Sequence, residues 1–430
     1  MKILWMCNGS LPVIADYLKE NSRVCLGGWL MGLSQNLLKQ DTVELIYCYP
    51  DYSGSAVRTG TIGRLKFYSL PMTLKDANQE MLPKSRAYQV FSEILRENSP
   101  DLIHFFGTEF VYTSALLELC RNLGFGKRTV VSIQGLISMC HLHYEAGLPW
   151  WLMRCQTLNE LKGRVSLRRM KKNFAHRGEF EQKSLRMTGH IIGRTGWDRA
   201  AAEMISPDAE YHFCNETLRE EFYTGQWSYE NCNPFQIAIS QSTYPIKGIH
   251  MVVEAVAILV KQFPEIRVVV GGADIFHGNW IKGNTYGNYV RRLIHKNGLD
   301  SNFEFAGMLD APSMKKMMLQ SNVFVCPSSI ENSPNSLGEA MILGMPCIAS
   351  DVGGVQDMME RNKEGFVYPF GETYKLAYYL KKVFEGREKA AVMGNAAHRR
   401  ALVTHDPETN NSRLLEIYSA IINGEELHEG

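Results

Sequence analysis

The chain has 430 residues, with 46 Lys and Arg against 45 Asp and Glu, a net charge of +1 and 45% hydrophobic residues. This composition excludes a disordered chain, and it supplies no global field for nucleic acid or an acidic polymer, so any anion-binding patch has to be local. At ~150 residues per domain the length predicts two or three domains, the ten scattered cysteines read as reduced thiols of a cytoplasmic protein, and no apolar run approaches the ~20 residues of a membrane span.

Residues 2 to 6 read as a first strand; Asn8, Gly9 and Pro12 interrupt the apolar run too early for a secretory leader. A long loop then leads to Gly27-Gly28 and a helix with Trp29, Leu30, Leu33, Leu37 and Leu38 on one face. A glycine pair between strand and helix serves a tight turn and also lets backbone approach a phosphate. Val43 to Cys48, Arg64 to Tyr68, Leu102 to Phe106 and Thr129 to Ile133 continue as strands separated by helical pattern, which predicts a doubly wound sheet. Ligands of such sheets bind beyond the carboxyl ends of the strands, where His104, Glu109 and Gln134-Gly135 fall. His104 and Glu109 are therefore acceptor-side candidates; the plainer readings are a satisfied strand-end histidine and a helix first-turn carboxylate.

Between Arg154 and Arg186 ten basic residues face three acidic ones, just after Pro149-Trp150-Trp151-Leu152-Met153. Basic clusters beside Trp and Leu suit an anionic membrane surface, at ~1 kcal/mol per basic residue; the alternative is a solvated helical face beside a buried aromatic pair. No nucleic-acid module accompanies the stretch. Gly189 to Gly193 is a further strand, and Arg194 at its end is placed to clamp a carboxylate or phosphate. Gly225 to Pro234 lacks periodicity and reads as the domain linker.

A second strand–helix alternation follows: Gln236 to Ser240, a helix from Gly248, then strands at Arg267 to Val270, Phe303 to Phe305, Val323 to Cys326 and Cys347 to Ala349. Its densest signal is Pro327 to Pro346, where Glu331 and Glu339 stand with seven residues between them at the start of a helix. Ser336-Leu337-Gly338-Glu339 reads as a capping box. A helix N-terminus offers unpaired N–H groups and partial positive charge, so the amides near Asn335, Ser336 and Leu337 are candidates for a phosphate. The carboxylates suit vicinal hydroxyls, and together these features suggest a nucleotide-sugar. Lys247, in a polar loop before a helix, is a candidate phosphate-binding point charge, the plainer reading being an exposed lysine. A last periodic segment, Asn411 to Ile422, has an apolar face that needs a partner.

Taken together, Lys247-Gly248, Phe303-Glu304-Phe305-Ala306-Gly307, Pro327-Ser328, the Glu331 and Glu339 pair, Gly344-Met345-Pro346 and Asp351-Val352-Gly353-Gly354 resemble the family 4 GT-B glycosyltransferases, over nearly the whole chain. The resemblance implies an α/β architecture of two doubly wound Rossmann-like domains facing across a cleft: residues 1–229, the acceptor domain completed by a final helix at about 411–430, and residues 230–410, the nucleotide-sugar donor domain. It implies a retaining, metal-independent hexosyltransferase with no cofactor, acting from a nucleotide-diphosphate sugar on a glycan or lipid-linked oligosaccharide in surface polysaccharide synthesis. Glu331 would then hold the transferred sugar and Glu339 the ribose. Asn335, Ser336 and Leu337 amides with Lys247 would hold the diphosphate, Leu309 would lie against the base, and Gly28 would meet the phosphates.

Two positions depart from the pattern. The family often has Arg six residues before the lysine, where this chain has Gln241, and often His where it has Gln134. Gln134 can hydrogen-bond a sugar hydroxyl but cannot act as acid or base; Arg194, His141 or His143 are the residues to compensate. The other readings are a catalytically silent sugar-nucleotide-binding protein and a GT-B sugar-nucleotide epimerase. The expected location is cytoplasmic, peripheral to the inner membrane face through residues 150 to 186.

Overall fold

The computed structural model describes residues 1–20, 28–163, 165–276, 281 and 283–427. Gly27 and Arg164 lie outside them. Two compact units emerge, one of residues 1–139, 174–217 and 405–430, the other of residues 140–173 and 218–404.

The first unit is built on the strands β1 (Lys2–Met6), β2 (Glu44–Asp51), β3 (Thr59–Ile62), β4 (Leu65–Pro71), β5 (Leu102–Phe106), β6 (Thr129–Ser132), β7 (His190–Gly193) and β8 (Glu210–Phe213). Among the described residues they form one sheet in the order β3-β4-β2-β1-β5-β6-β7-β8. All pairings are parallel except β3 with β4, a hairpin turned at Gly63, whose φ is +59°. Periodicity does not announce β3, because its four residues are exposed or half-buried on both faces. Strand alternation sends Leu4 and Met6 to one side with Phe91 and Leu116, and Ile3 and Trp5 to the other with Leu414, Ile417 and Tyr418 of the helix Pro407–Asn423. The apolar face read at residues 411 to 422 is thus buried within this unit.

The second unit holds β9 (Asn233–Ile239), β10 (Arg267–Gly271), β11 (Phe303–Gly307), β12 (Ser321–Cys326), β13 (Cys347–Ser350) and β14 (Phe366–Tyr368), ordered β11-β10-β9-β12-β13-β14 and parallel throughout. Such all-parallel strands are covered on both faces and read as continuous apolar runs, as Asn322 to Cys326 does.

Two boundaries differ from the sequence reading. Residues 140–173, expected in the first domain, pack with the second: Thr157 donates to the Gly283 carbonyl at 2.8 Å, and Glu160 accepts the Thr285 N–H at 2.8 Å. The stretch read as a linker is also packed, since Trp227 is buried and its indole N–H reaches the Ser321 carbonyl at 2.8 Å. The chain passes between units instead at 139/140, 173/174, 217/218 and 404/405. Among the described residues no helix is long and apolar enough to cross a membrane.

Candidate functional site

The carboxyl end of β12 continues into a loop, Pro327 to Ser333, held on both sides by backbone. Gly248 has φ +68° and a Cβ there would stand 1.9 Å from the Pro327 carbonyl oxygen; Gly353 has φ +52° and a Cβ there would stand 1.8 Å from the Glu331 carbonyl oxygen. Only glycine permits both the left-handed backbone and the approach. Ser329 N–H donates to the Ile246 carbonyl at 2.7 Å, and Gly354 N–H to that of Glu331 at 3.1 Å. The loop is thereby locked between two turns, and Lys247 and Glu331 are brought together.

Lys247 Nζ lies 2.6 Å from Glu331 Oε1, which also accepts the Ser328 hydroxyl at 2.6 Å. Burial pulls the ammonium down in pKa, but the adjacent Glu331 carboxylate more than restores it, so Lys247 stays above the ordinary lysine value and keeps its charge. Both side chains retain some exposure, 18% and 13%. A few residues on, the helix Asn335–Ile342 begins after Pro334, which offers no side-chain cap. Of the three residues singled out in the sequence, Asn335 and Ser336 are the first two of the helix, and the Leu337 N–H donates to the Pro334 carbonyl at 2.9 Å.

The expected capping box does not form, because the helix starts before Ser336. Glu339 is instead buried at 3% exposure and gripped by Arg219, whose Nε and Nη2 donate to its two oxygens at 2.6 and 2.8 Å. Burial pushes the Glu339 carboxyl up and the guanidinium partly offsets this. Leu309 and Gln241 each come to the end of β10: a Cβ on Gly271 would lie 3.5 Å from Leu309 Cδ1, and one on Gly272 would lie 3.0 Å from Gln241 Cβ.

In the first unit, Gln134 and Arg194 converge on a residue that sequence reasoning missed, Glu216. Gln134 Nε2 donates to Glu216 Oε1 at 2.8 Å, Arg194 forms an ion pair with the same carboxylate, and Arg194 Nη2 also donates to the Gln134 carbonyl at 3.0 Å. Arg194 is only 6% exposed, so it is spent within its own unit. Glu181, likewise missed, is fully buried and accepts the Ser138 N–H at 2.8 Å and the Ile137 N–H at 3.1 Å, fixing the loop after Gln134. Glu109 folds back over Gly107, and burial raises its carboxyl to about 7. His104 is a correction: it is fully buried, stacked on Phe106, with its nitrogens 2.5 Å from the Tyr418 hydroxyl and 2.7 Å from that of Ser132. Burial lowers it to about 3, so it bolts β5 to the final helix as a neutral ring and faces no acceptor. Gly28 is the first residue of the helix Gly28–Leu38. His143 is exposed, and its carbonyl accepts the Ser329 hydroxyl at 3.1 Å.

The tryptophans also depart from the buried alternative. Trp150 is 72% exposed and Trp151 40% exposed, joined by Leu158 and Leu161, and the Arg154 guanidinium lies 5.1 Å from the Trp150 ring centre.

Residues 229–400 match the family model described as glycosyl transferases group 1. The amylovoran biosynthesis glycosyltransferase AmsK of Erwinia amylovora is 24% identical over 180 residues, 40% of this chain and 41% of that protein; such matches span less than half the length of the curated relatives. The fold is shared over its full length with sucrose-phosphate synthase from Thermosynechococcus elongatus, at a TM-score of 0.72 and 15% identity, covering 99% of this chain and 100% of that one. It is shared too with Anabaena Alr3699/HepE in complex with UDP and glucose, at 0.65 and 16%, covering 98% and 100%. The chain therefore has the GT-B fold, and its residues 229–400 are similar to the group 1 glycosyl transferases.

Proposed function

We propose that the protein is a retaining, metal-independent glycosyltransferase that moves a hexose-type sugar from a nucleotide-diphosphate sugar to a glycan or lipid-linked acceptor in surface polysaccharide synthesis. The observation that carries this reading is the Lys247–Glu331 pair, fixed between two glycine turns just ahead of a helix with no side-chain cap. Lys247 stays protonated and, with the opening amides of the helix, stabilises the diphosphate as it departs with negative charge. Glu331 releases its hold on Lys247 to accept sugar hydroxyls. Glu339 keeps spare lone pairs beside Arg219 and can accept ribose hydroxyls through them. Retention then follows from acceptor attack on the face the diphosphate leaves, whose oxygen takes the proton. Gln134, tied to Glu216, orients a hydroxyl and transfers no proton.

The similarity to AmsK, an amylovoran biosynthesis glycosyltransferase, supports a polysaccharide acceptor, and the HepE complexes with UDP and UDP-glucose support a uridine donor. The exposed Trp150, Trp151, Leu158 and Leu161 beside Arg154 and Lys162 support approach to an anionic bilayer. A thermal-shift panel of UDP, GDP, ADP, CMP and dTDP tests the donor reading, since a ligand at one hundred times its Kd stabilises by ~2.7 kcal/mol. One nucleotide should raise Tm in the parent chain and not in Lys247→Ala; no shift with any of the five would overturn the proposal.

A further inference from the structure

Apart from the groups above, the described residues contain one cluster in which three metal-ligating side chains converge: His190, Glu210 and His212. The sheet dictates the arrangement. β7 and β8 run parallel with His190 opposite Glu210 and Ile192 opposite His212; with a side-chain period of two, all four project from the same face. His190 Nδ1 lies 3.1 Å from His212 Nε2 and 3.5 Å from Glu210 Oε2, and one donor atom from each residue falls within 4.8 Å of the others. Bonds of ~2.0–2.1 Å to nitrogen and oxygen around a tetrahedral ion set ligand–ligand separations of about 3.3 Å. The two spacings from His190 are close to that value, and the Glu210 and His212 donor atoms lie within 4.8 Å of each other.

We infer that His190, Glu210 and His212 bind a divalent first-row ion of the zinc class, with three protein ligands and one position open. Two imidazoles and one carboxylate suit zinc, cobalt or nickel, whereas calcium and magnesium prefer oxygen alone. The ligands are positioned before any ion arrives. His212 is 2% exposed, the two rings lie 5.3 Å apart at 23°, and the Leu427 N–H donates to Glu210 Oε1 at 3.3 Å. The Thr188 hydroxyl, which donates to the His190 carbonyl at 3.0 Å and accepts its N–H at 3.4 Å, fixes the backbone. The ion would clamp the edge strand β8 to β7. His190 and Glu210 open their strands, at the opposite end from the carboxyl edge that carries Arg194, so the site is separate from the proposed transfer chemistry and serves the integrity of the sheet.

The competing account is a bare imidazole pair sharing one N–H···N hydrogen bond. Chelator-treated full-length protein, freed of chelator, is titrated with zinc by calorimetry and with cobalt(II) by visible absorption. The expected result is one equivalent of zinc, a rise in Tm, and intense four-coordinate cobalt bands. His190→Gln and Glu210→Gln, both at partly exposed positions, should keep the circular dichroism of the parent and weaken zinc affinity by more than the ~10–100-fold loss typical of a second-shell change. No uptake, or one equivalent that persists in both variants, would overturn the site. The reading is independent of glycosyl transfer, because the assay needs no donor or acceptor.

Discussion

The two carboxyl edges handle acid–base pairs in opposite ways. In the first unit Arg194, Gln134 and Glu216 satisfy one another in a buried cluster, with Arg194 and Glu216 side chains 5% and 11% exposed. In the second unit Lys247 and Glu331 are held by the backbone of their loop and stay more open, and under the proposed function a diphosphate and a sugar would replace their ion pair. One pair is thus fixed from behind, through glycine contacts with its loop, whereas the Arg194 cluster is fixed through its own side chains.

The sharpest way to break this contrast is to remove one partner of a buried pair. Arg219→Met should destabilise the chain by ~3–5 kcal/mol in urea unfolding, because Glu339 is left charged and buried, and adding Glu339→Gln should recover much of the loss. Lys247→Met should do the reverse: little change in stability, but a fall in sugar transfer of ~10²–10³-fold, the usual effect of removing one preorganised charge-stabilising group. If Lys247→Met instead unfolded the protein while transfer per folded molecule persisted, the exchangeable pair would be a structural one.

The glycine contacts offer a graded test. Gly353→Ala meets a carbonyl oxygen 1.8 Å away and should cost ~2–4 kcal/mol, seen as a lower urea midpoint, with loss of donor binding. Gly63→Ala has a similar positive φ but open space around it, and should cost only ~1 kcal/mol. Glu109 gives a pH signature of the first unit. The folded chain keeps its proton to about pH 7, whereas the unfolded carboxyl releases it near the ordinary value of 4.5. The associated stability is therefore full below 4.5 and lost as pH rises through 7, by roughly 3 kcal/mol at about 1.4 kcal/mol per unit, and Glu109→Gln should flatten that slope in urea midpoints measured across the window.

These contrasts also mark what a sequence reveals. Both sheets were legible, because runs such as Asn322 to Cys326 carry their burial in their own residues, and Lys247 and Glu331 were legible because a turn and a strand end announce them. The partners were not. Arg219 stands 120 positions from Glu339 and Glu216 stands 82 from Gln134, and periodicity reports that a face is buried without saying which residue meets it. His104 sits where ligands gather in such sheets, yet the final helix fills that place with Tyr418. Glu160 was counted only among the acidic residues of a basic stretch, although its carboxylate both completes a capping box with Thr157 and holds Thr285, 125 residues away.

The interleaved path of the chain also bears on how the molecule comes into being. The first unit is assembled from three separate segments, and the Trp5 indole meets the Tyr418 hydroxyl at 3.0 Å across 413 residues. During vectorial synthesis the face of β1 that carries Trp5 stays without its cover until the last helix leaves the ribosome, at ~5–20 residues per second. The second unit, whose segments end at residue 404, can close first. A nascent chain stalled before residue 405 would thus hold a folded second unit and an apolar sheet in need of a chaperone, and C-terminal truncation would act as a folding defect without touching Lys247 or Glu331.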